Sequence, residues 1–595
     1  MPFFETIRLR LASLDALPAL AALGFVSGIL AGGVVVLFRL FVESGLVLWH
    51  TGDTAGDFES APWWFRLFLP TLGGILVGYI LHRVGKHYRQ VGVGHVIERM
   101  TFHQGYLNWR NALVQFLIGG LTIASGQSVG REGPGIHLGS AASSWLGQKL
   151  NLPNNSIRIL VGCGTAAAIS ASFNTPLAGV IFAMEVVMME YAVSSFIPLI
   201  LASVSAAIFS RIVFGDDVAF VVPAVDLQSL WEIPNFILLG LVIGVIASSF
   251  IKGTSVLTHK TKTWSSWLKC SVAGALVGIL ALGAPQIMGI GYDTVNAALH
   301  GNLTLQILVI AFIGKLMATI ICSGLALPGG AIGPSMFIGA MAGGIIGSIA
   351  AIILPDYASE YAFYSMVGMA TMMSAILQAP LTALMTLLEL TNNPNFLLPG
   401  MIAVVVSNLV VSQVFKQPSI FHSQLRAKGL ELRINPLSQF LRSVGVAGLM
   451  ERKLSIHEKF IEYDEAEKLL ATTPRWILVR EDKIPVSLLA ANDLARYILE
   501  LKERQAEEYA SEGGELDKNI ESPIEKTIDL LAIPADRQDI ASVYLQANLE
   551  EALDTMEREK VEAVFVFRTT APTTDKIYGV LTKERIESHY SYKAR

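Results

Sequence analysis

Residues 128–137 read SVGREGPGIH, an arginine and a glutamate side by side among glycines and a proline. The flanks are apolar, LIGGLTIASG (117–126) before and LGSAASSWLG (138–147) after. Charge is scarce throughout: the 595-residue chain is 52% hydrophobic and 16% charged, with a mean hydropathy of +0.52. Soluble domains carry about 25% charged residues. Apolar runs at 20–41, 65–82, 196–214, 235–251, 269–289, 304–325 and 396–415 each approach the ~20 residues that a bilayer-spanning helix needs. The sequence therefore predicts a polytopic, all-α membrane domain over 17–425. It is preceded by a short segment (1–16) with no cleavage site and followed by a linker (426–444) and a charged domain (445–595).

The 128–137 element recurs. GTAAAISASFNTPLAGVIFAMEV (164–186) aligns with GMATMMSAILQAPLTALMTLLEL (368–390), pairing Gly164/Gly368, Ser170/Ser374, Pro176/Pro380, Leu177/Leu381 and Glu185/Glu389. Upstream, GREGP ending at Pro134 faces GGAIGP ending at Pro334. Two halves, about 17–215 and 230–425, follow from this. Repeated halves with broken helices are a transporter and channel architecture, the substrate site lying between them. Proline suits the first turn of a helix, so each Gly-Pro element predicts a helix that starts at membrane depth. Its unpaired N–H groups and positive dipole end then attract anions.

Charged residues inside the apolar runs include Arg131, Glu132, Glu185, Lys315 and Glu389, and such residues mark functional positions by default. Arg131 and Lys315 supply positive potential to an anion route. Glu132 can occupy an anion site when ionised and leave it when protonated; the plainer alternative is a cap on the helix that follows. For Lys315 the plainer alternative is a residue reaching out to the membrane surface.

With these residues in hand, the chain resembles the CLC family of chloride channels and proton-coupled chloride exchangers. The resemblance runs from about residue 20 to the end. It is carried by GREGPGIHLGS (130–140), SGLALPGGAIGP (323–334), the two inner-helix segments SFNTPLAGVIFAMEV and QAPLTALMTLLELTNN, and GVGHV (92–96) in place of the family's G-S-G-I-P loop. It implies a homodimer in a lipid bilayer with one anion pore per subunit and two inverted halves. By resemblance Glu132 is the gate, with protons as its ligand. Val93, Gly94, Arg131, Gly133, Ala331, Ile332, Gly333 and Phe421 lie at the anion-binding and pore positions, and Lys315 adds electrostatic lining.

Several positions depart from the family pattern. Val93 replaces a serine and Phe421 a tyrosine, so both hydroxyl donors of the central anion site are missing. Ile332 replaces a phenylalanine. Val186 stands where exchangers commonly carry an inner proton glutamate, and valine relays no proton. Glu185 next door points elsewhere, since one α-helical residue turns the side chain by about 100°. These departures favour a passive chloride channel gated by protonation of Glu132. The alternatives are a proton-coupled exchanger or a fluoride- or nitrate-selective relative.

Beyond 445 the pattern changes. RWILV (475–479) and AVFVFR (563–568) read as strands and NLEEALDTMEREK (548–560) as an amphipathic helix. PVSLLAANDLARYI (485–498) and YGVLTKERIESHY (578–590) resemble the closing parts of two CBS motifs, joined by an acidic linker (503–521). Of the adenine-nucleotide pattern in such pairs only Asp493 and Thr582 remain, with Ala490 and Arg585 at the partner positions, so a nucleotide is doubtful and no other cofactor is expected. Cys163, Cys270 and Cys322 are scattered in apolar surroundings and read as small hydrophobes, with no metal cluster. The net charge of −5 argues against nucleic-acid binding. No nucleophile set, zinc motif or P-loop supports an enzyme. The expected location is a prokaryotic inner membrane, with both termini cytoplasmic.

Overall fold

The structure, a computed structural model, describes residues 17–48, 58–215, 220, 227–355, 357–431, 436–511, 526–571 and 574–593. The N-terminal segment 1–16 and the greater part of the expected 503–521 linker lie outside the described residues. The described chain divides into a helical unit (17–150 and 156–431) and a C-terminal unit (151–155 and 436–593).

In the helical unit, nine helices among the described residues are long and apolar enough to cross a membrane. In chain order the helices are α1 (Leu17–Leu48), α2 (Trp63–Arg83), α3 (Val93–Phe102), α4 (Trp109–Ala124), α5 (Glu132–Lys149), α6 (Asn154–Phe173), α7 (Pro176–Phe182), α8 (Val193–Phe214) and α9 (Ile233–Lys260). There follow α10 (Ser266–Gly283), α11 (Tyr292–Leu299), α12 (Leu305–Gly324), α13 (Ile332–Ile353), α14 (Tyr361–Leu377), α15 (Pro380–Thr391), α16 (Leu397–Leu409) and α17 (Ile420–Ala427). Local chemistry sets many of the starts. α7 and α15 open on a proline, each after a residue at positive φ (Asn174 and Gln378). α4, α10 and α12 are capped by the side chains of Asn108, Ser265 and Thr304, which satisfy backbone N–H groups that a helix leaves unpaired.

Two spanning helices, α6 and α13, were not among the seven apolar runs. In α6, 94% of the apolar window is covered by protein, and in α13 61%. A helix that faces other helices needs small residues for close approach; in α6 they lower the hydropathy, whereas α13 is as apolar as the spans read from the sequence. The crossings show why small residues are needed. A Cβ on Gly164 would lie 2.3 Å from Gly139 O, and one on Gly368 would lie 2.2 Å from Gly339 O. The same glycine pair thus locks α5 to α6 and α13 to α14. Two further differences from expectation are local: α10 stops at Gly283 within the 269–289 run, and Ala183–Met188, expected to be α-helical, is a π-helix.

The halves are related by contacts between equivalents. Gly130 and Gly330 form an antiparallel bridge, each N–H donating to the other's carbonyl at 2.7 Å. In α2 and α10, a Cβ on Gly74 would come within 3.0 Å of Gly274 Cα. A residue meets its own counterpart only on a two-fold axis, so these pairs mark the pseudo-axis of the repeat. TLGGILVG (71–78) and SVAGALVG (271–278) extend the sequence repeat to it.

The C-terminal unit holds a six-stranded sheet in the order β1-β3-β4-β6-β7-β8 and a two-stranded pair β2-β5. The strands are β1 (Leu454–Glu458), β2 (Phe460–Glu462), β3 (Trp476–Glu481), β4 (Ile484–Ala490), β5 (Thr527–Asp529), β6 (Gln538–Tyr544), β7 (Ala563–Ala571) and β8 (Thr574–Thr582). After α18 (Pro436–Ser443) and α19 (Val446–Leu449), the helices are α20 (Tyr463–Ala471), α21 (Ala491–Ser511), α22 (Leu549–Glu559) and α23 (Lys583–Lys593). One motif occurs twice: parallel strands (β1–β3, β6–β7) linked by a helix, the second strand then pairing antiparallel with the next (β4, β8). Asn548 and Glu551 close a capping box at the start of α22. Burial pushes the Glu551 carboxyl above its ordinary range, so its contribution to stability falls as pH rises from the unfolded value through the folded one.

The glycine crossings generate a prediction. Gly164→Val places carbons against the backbone of α5, where overpacking costs about 1–3 kcal/mol. Gly283→Val adds a Cβ that meets nothing within 4 Å. Thermal denaturation of the detergent-solubilised protein should show a clear loss for the first and little for the second.

Candidate functional site

α5 and α13 begin at the Gly130–Gly330 bridge, so their N-termini meet at the pseudo-axis. The backbones are close enough that a Cβ on Gly133 would sit 2.7 Å from Gly330 Cα. Arg131 precedes α5 and Glu132 is its first residue. The Glu132 carboxylate is fully buried and does not cap its own helix. Its Oε2 accepts from the Gly333 N–H of α13 at 3.3 Å, and its Oε1 accepts from the Tyr292 hydroxyl at 2.6 Å. The carboxylate therefore occupies the N-terminus of the other repeat's helix, a position suited to an anion. Gly130 makes room for it, since a Cβ there would lie 2.1 Å from Glu132 Oε2.

Tyr292 was not legible in the sequence as a site residue. It opens α11 after Gly291, which has φ +82°, and GIGYDTV matches no motif. The loop before it is held by Lys315. That residue is fully buried, and its Nζ donates to the carbonyls of Ile287 (3.0 Å), Gly289 (2.8 Å) and Ile290 (3.3 Å) while lying 4.9 Å from the Phe337 ring centroid. Lys315 does not reach toward a membrane surface; its ammonium fixes the backbone that presents Tyr292 to Glu132.

Arg131 stacks 5.6 Å over Tyr292 and donates to Ser172 O at 3.2 Å and to Glu43 at 3.5 Å. With Arg39, Asn174, Asp293 and Asn296 it lines a cavity of about 320 Å³ that reaches Tyr292. The Arg39 and Arg131 guanidinium groups stand against two carboxylates, Glu43 and Asp293, so the cavity is polar without a net positive charge, and the cation at Tyr292 is Arg131. Its Nε has no hydrogen-bond partner among the described residues.

The other expected residues fall on neighbouring helix starts. Val93, Gly94 and the buried Phe421 open α3 and α17, which pack together: a Cβ on Gly94 would lie 3.5 Å from Gln424 Oε1. Ala331 and Ile332 are buried at the start of α13. Neither Val93 nor Phe421 brings a hydroxyl, so backbone N–H groups are the donors these positions offer. Val186 is buried in the π-helix 183–188, which packs on α3.

Glu185 and Glu389 take up a structural task. Glu185 accepts from the Leu381 N–H (3.3 Å), the Thr382 N–H (2.8 Å) and the Thr382 hydroxyl (2.6 Å). Glu389 accepts from the N–H groups of Leu177 (2.9 Å) and Ala178 (2.7 Å). Each repeat's glutamate caps the other repeat's proline-started helix, a third exchange across the pseudo-axis. In the C-terminal unit, Thr582 accepts from the Arg585 N–H at 3.4 Å and Asp493 pairs with Arg496 at 3.2 Å. Both side chains are engaged at helix starts. The three cysteines are buried free thiols, and no cluster of metal-ligating side chains occurs among the described residues.

A family model described as "Voltage gated chloride channel" matches residues 73–412, more than half of the chain. A relative from Ralstonia nicotianae, "Putative chloride channel protein ClcB-like", is 31% identical over 404 residues, 66% of this chain and 93% of the relative. A relative from Vibrio parahaemolyticus, "H(+)/Cl(-) exchange transporter ClcA", is 29% identical over 420 residues, 68% of this chain and 88% of the relative. Among solved structures, a slow cyanobacterial Cl−/H+ antiporter has a TM-score of 0.63 at 23% identity, covering 69% of this chain and 97% of its own. A eukaryotic CLC transporter has a TM-score of 0.59 at 16% identity and covers 98% of both chains. At these identities the two structures share the fold.

The contact of Gly130 with the carboxylate gives a direct test. Gly130→Ala should push Glu132 off the Gly333 N–H, so that anion flux at neutral pH rises toward its value in acid. Flux that stays as low at neutral pH as in the unaltered protein would count against the crowding argument.

Proposed function

Belonging to the voltage gated chloride channel family, the chain is a multi-pass anion transporter, and we propose that it exchanges chloride for protons through the site at Glu132. The observation that carries this is the Glu132 carboxylate on the Gly333 N–H. An ionised carboxylate and a transported anion compete for one helix N-terminus. Protonation removes the charge that holds the carboxylate there and frees the place for an anion, so one residue links the two fluxes. The passive channel expected from Val186 is the weaker reading, because relatives named as proton–chloride exchange transporters align over 62–69% of this chain. A proton then reaches Glu132 without a carboxylate at position 186.

In this reading Glu132 is the gate. The backbone N–H groups of Gly133, Ala331, Ile332 and Gly333, with those of Val93 and Gly94 beside Phe421, coordinate the anion. Arg131 is the cation beside Tyr292 at the entrance, and Lys315 acts at one remove by fixing the Tyr292 loop. The protein works as a homodimer in a prokaryotic inner membrane, with both termini and a CBS-type pair on the cytoplasmic side. That pair serves as a scaffold without nucleotide, and the protein catalyses no covalent reaction.

Purified protein in liposomes, with chloride, fluoride and nitrate compared and proton movement recorded, tests the reading. A chloride gradient should drive protons uphill. Chloride flux with no proton movement at any pH would instead establish a channel. Glu132→Gln should abolish proton movement and pH dependence while anion flux continues. Tyr292→Phe removes a hydrogen bond to a charged group, worth about 1.5–3 kcal/mol. It should therefore raise anion flux at neutral pH about tenfold, leaving proton coupling in place.

A further inference from the structure

A second polar assembly lies inside the helical unit, built on two residues to which the family resemblance assigns no role. His95, in the first turn of α3, is 1% exposed, and His137 of α5 is fully buried. Their rings stack with centroids 5.2 Å apart, and His95 Nδ1 lies 2.9 Å from His137 Nε2. Arg99 Nε donates to His95 Nε2 at 3.2 Å.

These contacts settle where the protons are. A guanidinium is always a donor, so His95 Nε2 must be an acceptor. Neutral His95 then carries its proton on Nδ1 and donates to His137 Nε2. His137 in turn carries its proton on Nδ1. That Nδ1 is buried and has no hydrogen-bond partner among the described residues. The direction of donation therefore runs one way, Arg99 to His95 to His137, and ends on an unmatched N–H. Leaving such a donor unpaired inside a protein is costly, and each link polarises the next.

We infer that the Arg99–His95–His137 chain is an anion ligand, presenting His137 Nδ1–H to a small monovalent anion that moves between the gate helix α5 and the first turn of α3. The inference rests on the anion-transport reading and identifies a side-chain donor for it. Val93 and Phe421 bring no hydroxyl to the expected central positions, and the His137 imidazole N–H, on α5 and bonded to the His95 that follows Gly94, is a replacement donor. The pair is a poor proton carrier as it stands. A further proton on His137 Nε2 would meet the His95 N–H, and His95 cannot turn its tautomer while Arg99 donates to it. Arg99 and His103 lie on or beside the helix of His95, and Lys428 nearby is paired with the buried Glu98 carboxylate at 3.4 Å.

The test uses the full chain in liposomes, with chloride as the probe and the chloride dependence of flux and the proton-to-chloride ratio measured together. His137→Leu should weaken the apparent chloride affinity about tenfold or more, the cost of one hydrogen bond to a charged group, and leave the proton ratio unchanged. His137→Gln, which keeps an N–H donor, should recover much of that loss. His95→Leu, which frees the His137 tautomer and leaves His137 in place, should give an intermediate loss and keeps the test alive if His137→Leu fails to fold. Unchanged chloride dependence in folded His137→Leu would overturn the inference. So would a changed proton ratio at unchanged affinity, because the pair would then serve protons. A wild-type protein that moves no protons would sink the exchanger reading and leave this test of affinity standing.

Discussion

Two helices that start inside a membrane point two sets of unpaired N–H groups at one place, and something negative has to sit there. In this protein the Glu132 carboxylate does so, accepting from the Gly333 amide of the opposite repeat and from the Tyr292 hydroxyl. The arrangement needs the two breaks to touch, which the reciprocal Gly130–Gly330 hydrogen bonds enforce, and it needs no side chain at 130. It also needs Tyr292 held still, and the buried Lys315 ammonium on three loop carbonyls does that. Removing any of these parts alters how firmly an ionised carboxylate holds a site that an anion can use.

The same logic of exchange runs outward from that centre. Glu185 and Glu389 each satisfy the first N–H groups of the other repeat's helix, so the halves are joined by charge on helix ends as well as by packing. In hydrocarbon there is no water to solvate a helix terminus, and a carboxylate from across the axis takes water's place. Their presence in apolar runs thus has a structural cause. An intramembrane charge is a fair signal of an important position, but it does not distinguish a gate from a cap; only the partner atoms do.

The C-terminal unit follows different rules. Its repeat is a strand-helix-strand-strand unit used twice, and the strands and the helix expected at 475–479, 563–568 and 548–560 correspond to β3, β7 and α22. These were readable because short runs of β-branched and aromatic residues mark strands, even one such as β3 with three successive residues buried, and an exposed helix shows a polar face. The inner membrane helices show neither. α6 escaped the hydropathy reading because it is covered by protein, and close glycine contacts such as 139/164 take the place of large apolar side chains.

By itself the sequence determined that the chain is a repeated, broken-helix membrane protein with a charged C-terminal domain, and that anions are its cargo. Glycine, proline and charge carry that information locally: a Gly-Pro break interrupts a helix, and a lone carboxylate marks an important position, wherever the chain later folds. Tertiary structure alone decided what each charge touches. Glu132 reaches a helix 201 residues away in sequence, Lys315 turns inward to a loop, and Tyr292 becomes a site neighbour with no motif to announce it. Their roles come from distances between segments that are remote along the chain, and neither spacing nor composition encodes such distances.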